Sequence, residues 1–127
     1  MNKKYIPVIT LILLVLGILV LDRVNQSGGE QLVGLNRHPD NIIYTKHAKC
    51  RMGCREFTKK EVWEILEKGT INNRKSDPND KPCPTYALEG ITSDGQEARM
   101  VFAACDNKKL KLVTCIDLKK HYQCDCN

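Results

Sequence analysis

Apolar positions follow three different rhythms along the chain. From Tyr5 to Leu21, "YIPVITLILLVLGILVL", no charged residue occurs, Lys3 and Lys4 precede the run and Asp22 and Arg23 close it. An all-round apolar helix rising roughly 1.5 Å per residue nearly matches, with its flanks, the ~30 Å hydrocarbon core of a bilayer, so a membrane helix is predicted here. A helical period returns further on, where Thr58 and Glu61 form an S/T-x-x-E capping box and Phe57 and Val62 hold the two staple positions. Val62, Ile65 and Leu66 make its apolar stripe, Trp63 broadens that stripe toward the core, and Gly69 marks the end. A shorter helix is expected before it, capped by Thr45 and running through about Met52 to a stop at Gly53.

The rhythm then changes to that of strands. "TYALEGIT", "QEARMVFAAC" and "KLKLVTCIDL" are rich in β-branched and apolar residues and are joined by "SDG" and "DNKK", which predicts a three-stranded meander. "NIIYT" and "TINNRK" are further candidate strands, and the proline-rich "SDPNDKPCP" is a loop. The fold class expected is α+β: two short helices followed by a small antiparallel sheet, preceded by an N-terminal transmembrane helix. A two-residue turn at Asp94-Gly95 and a four-residue loop from Asp106 to Lys109 place Tyr86, Leu88, Val101, Ala103, Leu112 and Ile116 on one face with Arg99. Met100, Phe102 and Val113 fall on the other.

These patterns divide the chain into an anchor at 1–24, a Gly-containing polar tether at 25–40 and a domain at 41–127. The alternative for the first segment is a secretory signal, although "LVLDRVNQ" offers no small-residue cleavage pattern. Lys3 and Lys4 favour a cytoplasmic N-terminus, which puts the single-pass chain's C-terminal domain outside the cytoplasm. Seven cysteines among 127 residues agree with an oxidising compartment, and the odd number leaves at least one outside an intramolecular pair.

A net charge of +5 is too small to announce a nucleic-acid binder. Its distribution is more telling: Lys46, Lys49, Arg51, Arg55, Lys59 and Lys60 stand against a single acid, Glu56. That excess could attract phosphates or anionic lipid head groups, so the partner expected is an unknown protein or an anionic ligand, besides the membrane contacted through Tyr5 to Leu21. An ordinary solvated helix surface is the competing reading, since aromatic residues for base stacking are scarce nearby.

"HAKCRMGC", His47 to Cys54, holds the densest chemistry. On a helix His47, Cys50 and Cys54 share one face. With His121 from "HYQCDC" they make a weak zinc alternative, although the spacing matches no strong finger pattern and thiols in an oxidising compartment pair instead. No cofactor is expected. Disulfides are the preferred fate, joining Cys50 and Cys54 to Cys83, Cys124 or Cys126, while Cys105 and Cys115 fall on opposite sheet faces and are expected as buried thiols. His47 and Arg51 lie one turn apart, and Arg99 would approach them if the helix covered its face. Such a trio could supply the acid/base and phosphate-holding groups of a metal-independent ribonuclease. Against it stand a His that merely caps a helix and an Arg99 paired with Glu61, Glu64 or Glu89.

"YTKHAKCRMGCREFTKKEVWEILEKGTI", "PCPTYALEG", "ARMVFAAC" and "LVTCIDL" together resemble the domain-of-unknown-function family DUF4258, over roughly Ile42 to Cys126. The His-Ala-x-x-Arg-Met element corresponds to His47, Ala48, Arg51 and Met52, and the arginine before the apolar run of a later strand to Arg99. In element order the family is similar to the small RelE and BrnT toxins, α+β endoribonucleases, which implies RNA as a substrate only as a fold analogy. An anchor and many cysteines depart from those cytoplasmic toxins. The expected role is therefore binding or structural, with RNA cleavage and a zinc module as alternatives.

Overall fold

The computed structural model describes residues 3–27 and 34–127, and the chain forms two units, Met1–Leu32 and Val33–Asn127. In the first, a turn of 3-10 helix at Lys3–Tyr5 leads into α1, Ile6–Ser27. At roughly 1.5 Å per residue this helix is about 33 Å long. Its window Lys3–Val20 has a mean hydropathy of 2.1 and no buried residue, so it is long and apolar enough to cross a membrane. Thr10 Oγ1 donates to the carbonyls of Ile6 and Pro7, both at 3.0 Å, which satisfies its hydroxyl within the helix.

The second unit contains β1 (Asn41–Tyr44), α2 (Lys46–Arg55), α3 (Lys59–Lys68), β2 (Thr70–Ile71), β3 (Thr85–Ile91), β4 (Glu97–Ala103) and β5 (Lys109–Asp117). The strands form one sheet in the order β1-β5-β4-β3-β2, with β1 parallel to β5 and the other pairs antiparallel. The α+β class and the three-stranded meander are as expected. The sheet differs in being mixed and five-stranded, because the segment before α2 returns to pair with the last strand. "TINNRK" contributes only Thr70–Ile71 to it.

Both helices cover the same face. Thr45 caps α2 by accepting from the Ala48 N–H at 3.0 Å, and Thr58 and Glu61 close the capping box of α3. Phe57 and Val62 at the staple positions are buried, as are Ile65 and Leu66. Helix α2 does not stop at Gly53: it continues to Arg55 and ends with Glu56 in the left-handed region at φ 61°. Trp63 is 37% exposed on the outer side of α3, so it does not widen the buried stripe. Gly69 ends α3 in an extended conformation, and a Cβ there would lie 2.5 Å from the Ile65 carbonyl oxygen, so the glycine is demanded by close approach rather than by φ.

The residues of β4 that share the helix-covered face with Tyr86 and Leu88 are not Arg99, Val101 and Ala103, as the two-residue turn predicts, but Ala98, Met100 and Phe102. The hairpin closes through three residues, Ser93, Asp94 and Gly95 (φ 89°), with Thr92 N–H donating to the Gln96 carbonyl at 2.9 Å. The Thr92 hydroxyl accepts from Gln96 N–H at 3.0 Å and donates to Asp94 Oδ1, which stabilises the longer loop. One extra residue turns every side chain of the partner strand over. Leu88 thus faces Met100 and Tyr86 faces Phe102, all in the core, whereas Arg99, Val101 and Ala103 point away from the helices. Between β4 and β5 the predicted pairs Val101 with Thr114 and Arg99 with Ile116 form, and then a bulge at Val113 brings Leu112 opposite Phe102 into the core.

Of the tether placed at 25–40, residues 28–33 lie outside the described residues. Its end is structured against the domain: Leu35 is buried in the core, and Arg37 donates to the carbonyls of Leu66 at 3.1 Å and Gly69 at 2.6 Å, capping α3.

Candidate functional site

After β5 the chain leaves the sheet at a turn built by Asp117, whose Oδ1 accepts from the N–H groups of Lys119 and Lys120 at 2.8 and 2.7 Å. Partial burial is the largest influence on this carboxyl and pushes its pKa up. The backbone donors and the Gln96 amide outweigh it and hold the group below the usual carboxylate range. Residues 118–127 then run back along α2. Tyr122, Cys124 and Cys126 are half-buried while His121, Gln123, Asp125 and Asn127 are exposed, the period of two that marks an extended strap lying on a surface.

Two disulfides, Cys54–Cys124 and Cys50–Cys126, fasten this strap antiparallel to α2, both with Cα atoms 5.8 Å apart. The match of spacings explains why both can form. Four residues along a helix rise roughly 6 Å, and two residues of extended chain span roughly 6.6 Å. A Cys-x-x-x-Cys on a helix and a Cys-x-Cys in an extended tail are therefore complementary ladders. Of the cysteines expected as partners for Cys50 and Cys54, Cys126 and Cys124 pair with them, and Cys83 pairs elsewhere.

Cys83 bonds Cys105, which corrects the expectation that Cys105 is a buried thiol. The cause is the same register. Thr85 opposes Ala103, so the residues two positions further out, Cys83 and Cys105, fall directly opposite each other. A reading displaced by one residue hides the pair. Cys115 remains the thiol outside these bonds, fully buried as expected, and burial pushes its pKa up to about 11 although Arg55 and Arg51 pull it down. Arg55 also donates to the Cys115 carbonyl, and its own carbonyl accepts from Gln96 Nε2 at 2.7 Å, which ties the end of α2 to β5.

His47 and Arg51 do meet: Arg51 Nε donates to His47 Nε2 at 3.3 Å on the exposed side of α2. Arg99 is not brought to them. It lies between Ala98 and Met100, both fully buried in the helix-side core, and so projects from the opposite face of the sheet. There its Nε donates to Glu89 Oε1 at 2.6 Å, the cross-strand partner. The Asn72 amide donates to the same oxygen at 2.9 Å. The hydrogen bonds from Asn72 and then Arg99 hold the Glu89 carboxyl below its ordinary value. Of the three acids considered as partners for Arg99, Glu89 is the one used.

The zinc alternative is taken apart by the same geometry. Cys50 and Cys54 sit in different disulfides, and His121 adjoins Tyr122, whose hydroxyl donates to Glu56 Oε2 at 3.4 Å. Glu56 is nine positions from His47, roughly 13 Å along the helix, far beyond a shared coordination sphere. Among the described residues, no group of three or more His, Cys, Asp or Glu is placed to hold a metal.

What remains is an open cavity of about 390 Å³ at the N-terminal end of α2, lined by Lys46, His47, Cys50, Asp125, Cys126 and Asn127. A second, of about 400 Å³, lies on α3 beside Trp63 and is lined by Lys60, Glu64, Glu67, Lys68 and Ser93. The first joins the histidine of the sequence motif to the strap. A family model described as Domain of unknown function (DUF4258) matches residues 44–117, which takes in α2 through β5 and leaves the strap outside. No curated protein and no solved structure matches the chain.

Proposed function

The chain belongs to the DUF4258 family, and from that premise we propose that it is a membrane-anchored, extracytoplasmic binding domain presenting the basic surface of α2 to an acidic protein or anionic ligand. One observation carries this reading: six of the seven cysteines are paired, four of them in the ladder that straps the tail to α2. Such bonds persist in an oxidising compartment and are kept reduced in an ordinary cytosol. An apolar helix following Lys3 and Lys4 supplies the means of delivery, with the cytoplasmic side at the N-terminus. On α2 and the start of α3, Lys46, Lys49, Lys59 and Lys60 provide the exposed cations. The test is a reporter fused after Asn127 that is active only in the cytosol. The account expects it to be silent in cells, and an active reporter overturns it.

A second reading, RNA cleavage without metal, draws on the His47–Arg51 hydrogen bond. It has no phosphate clamp from Arg99, which is committed to Glu89 across the sheet. If RNA incubated with the chain and a chelator is cut, and His47→Ala abolishes the cutting, this second reading replaces the first.

A further inference from the structure

We propose that the Cys50–Cys126 disulfide is a thiol–disulfide exchange site whose substrate is a dithiol, with Cys126 Sγ the sulfur attacked and Cys50 the thiolate expelled. The three disulfides differ in access. Cys50 is exposed and Cys126 half-buried at the rim of the 390 Å³ cavity, Cys54 and Cys124 are both half-buried, and Cys83, at 8% exposure, is bonded to an exposed Cys105. They differ in charge as well. Lys46 and His47 precede Cys50 by four and three positions, share its face of α2 and line the same cavity. Negative charge developing on Cys50 Sγ therefore meets an ammonium and an imidazole. Since His47 Nε2 accepts from Arg51, its other ring nitrogen carries the proton and can donate. Asp125, next to Cys126 in the chain, lines the same cavity, and its carbonyl oxygen lies 3.7 Å from Cys50 Sγ. A low-energy leaving thiolate makes a disulfide fast to open and selects which sulfur departs.

The step balances as an exchange. One thiolate of the dithiol attacks Cys126 Sγ, the bond to Cys50 breaks, and its electron pair leaves on Cys50, which then takes a proton. The second thiol of the substrate displaces Cys126 from the mixed disulfide, so the dithiol is oxidised to a disulfide and the protein pair is reduced to two thiols. Cys54–Cys124 continues to hold the strap, and only residues 125–127 come loose.

The test treats the full chain in detergent micelles with limiting dithiothreitol, blocks thiols at intervals and maps the peptides. Cys50–Cys126 is expected to open about tenfold faster than Cys83–Cys105 and ahead of Cys54–Cys124, and both Lys46→Gln and His47→Gln to slow it about threefold. With glutathione, a monothiol, the adduct is expected on Cys126. Equal opening rates for the three disulfides, variants without effect on the first, or an adduct on Cys50 would each overturn the assignment.

Discussion

At Cys115 the core encloses a thiol with no disulfide partner, and its ionisation is deferred from an ordinary value near 9 to about 11. The folded state therefore keeps its proton where the unfolded chain loses it. That contribution to stability is complete below the unfolded pKa and is lost as pH rises toward about 11. Urea midpoints measured at intervals from about pH 8 to pH 11 should fall more steeply for the wild type than for Cys115→Ala; parallel curves would contradict this. Glu89 works in the opposite sense. Its folded pKa is depressed by Asn72 and Arg99, so the stabilisation is present above the ordinary carboxylate value and disappears as pH falls through the folded one. The Arg99 and Glu89 side chains retain 21% and 30% exposure, and solvent screening keeps their pairing to less than about 1 kcal/mol. Arg99→Ala should thus cost little stability while raising the Glu89 pKa in an NMR titration. A loss of several kcal/mol would mean that Arg99 carries more of the fold than a surface pair does.

The elements show which local signals can be read from sequence and which depend on distant ones. Thr45, Thr58 and Glu61 announce the starts of α2 and α3, because capping is a matter of four consecutive residues. Ends are less legible: Gly53 invites a stop that the packing of Met52 and the tie from Arg55 to β5 override. The faces of the sheet hinge on whether the hairpin closes through two residues or three. Asp94-Gly95 suits both, and the choice is made by the Thr92 hydroxyl and by the cost of turning Arg99 inward. From that single residue of register follow the exclusion of Arg99 from the α2 site and the Cys83–Cys105 bond. Gly69→Ala offers a direct check of close packing, since its Cβ would meet backbone oxygens of Ile65 at 2.5 Å and Glu89 at 3.2 Å. It should destabilise by roughly 1–3 kcal/mol in urea melts, against about 1 kcal/mol for Thr58→Ala. The ladder makes a further prediction. A loop of 76 residues closed by Cys50–Cys126 restricts the unfolded chain by about 4.5 kcal/mol, whereas the second rung closes a ring of about eight residues and adds about 2.5. Replacing either rung by serines should therefore cost about 2.5 kcal/mol, and replacing both more than twice that. Simple additivity would contradict the ladder.

For the whole molecule, the domain and its strap are one covalent unit built around the family's α2-to-β5 segment. Its N-terminal limit lies before β1, because Leu35 fills the core and Arg37 caps α3. A chain beginning at Asn41 should be less stable than one beginning at Gly34 by about 2 kcal/mol or more. Equal urea midpoints would remove Leu35 and Arg37 from the domain. The broader claim is that oxidised sulfur shapes this surface and reports where the domain resides. It is tested most directly by blocking thiols in intact cells, isolating the chain without reductant and mapping its peptides. The expected map joins Cys50 to Cys126, Cys54 to Cys124 and Cys83 to Cys105, with Cys115 the thiol that becomes available only on unfolding. Seven cysteines recovered as free thiols would contradict the strap, the exchange site and the extracytoplasmic placement together.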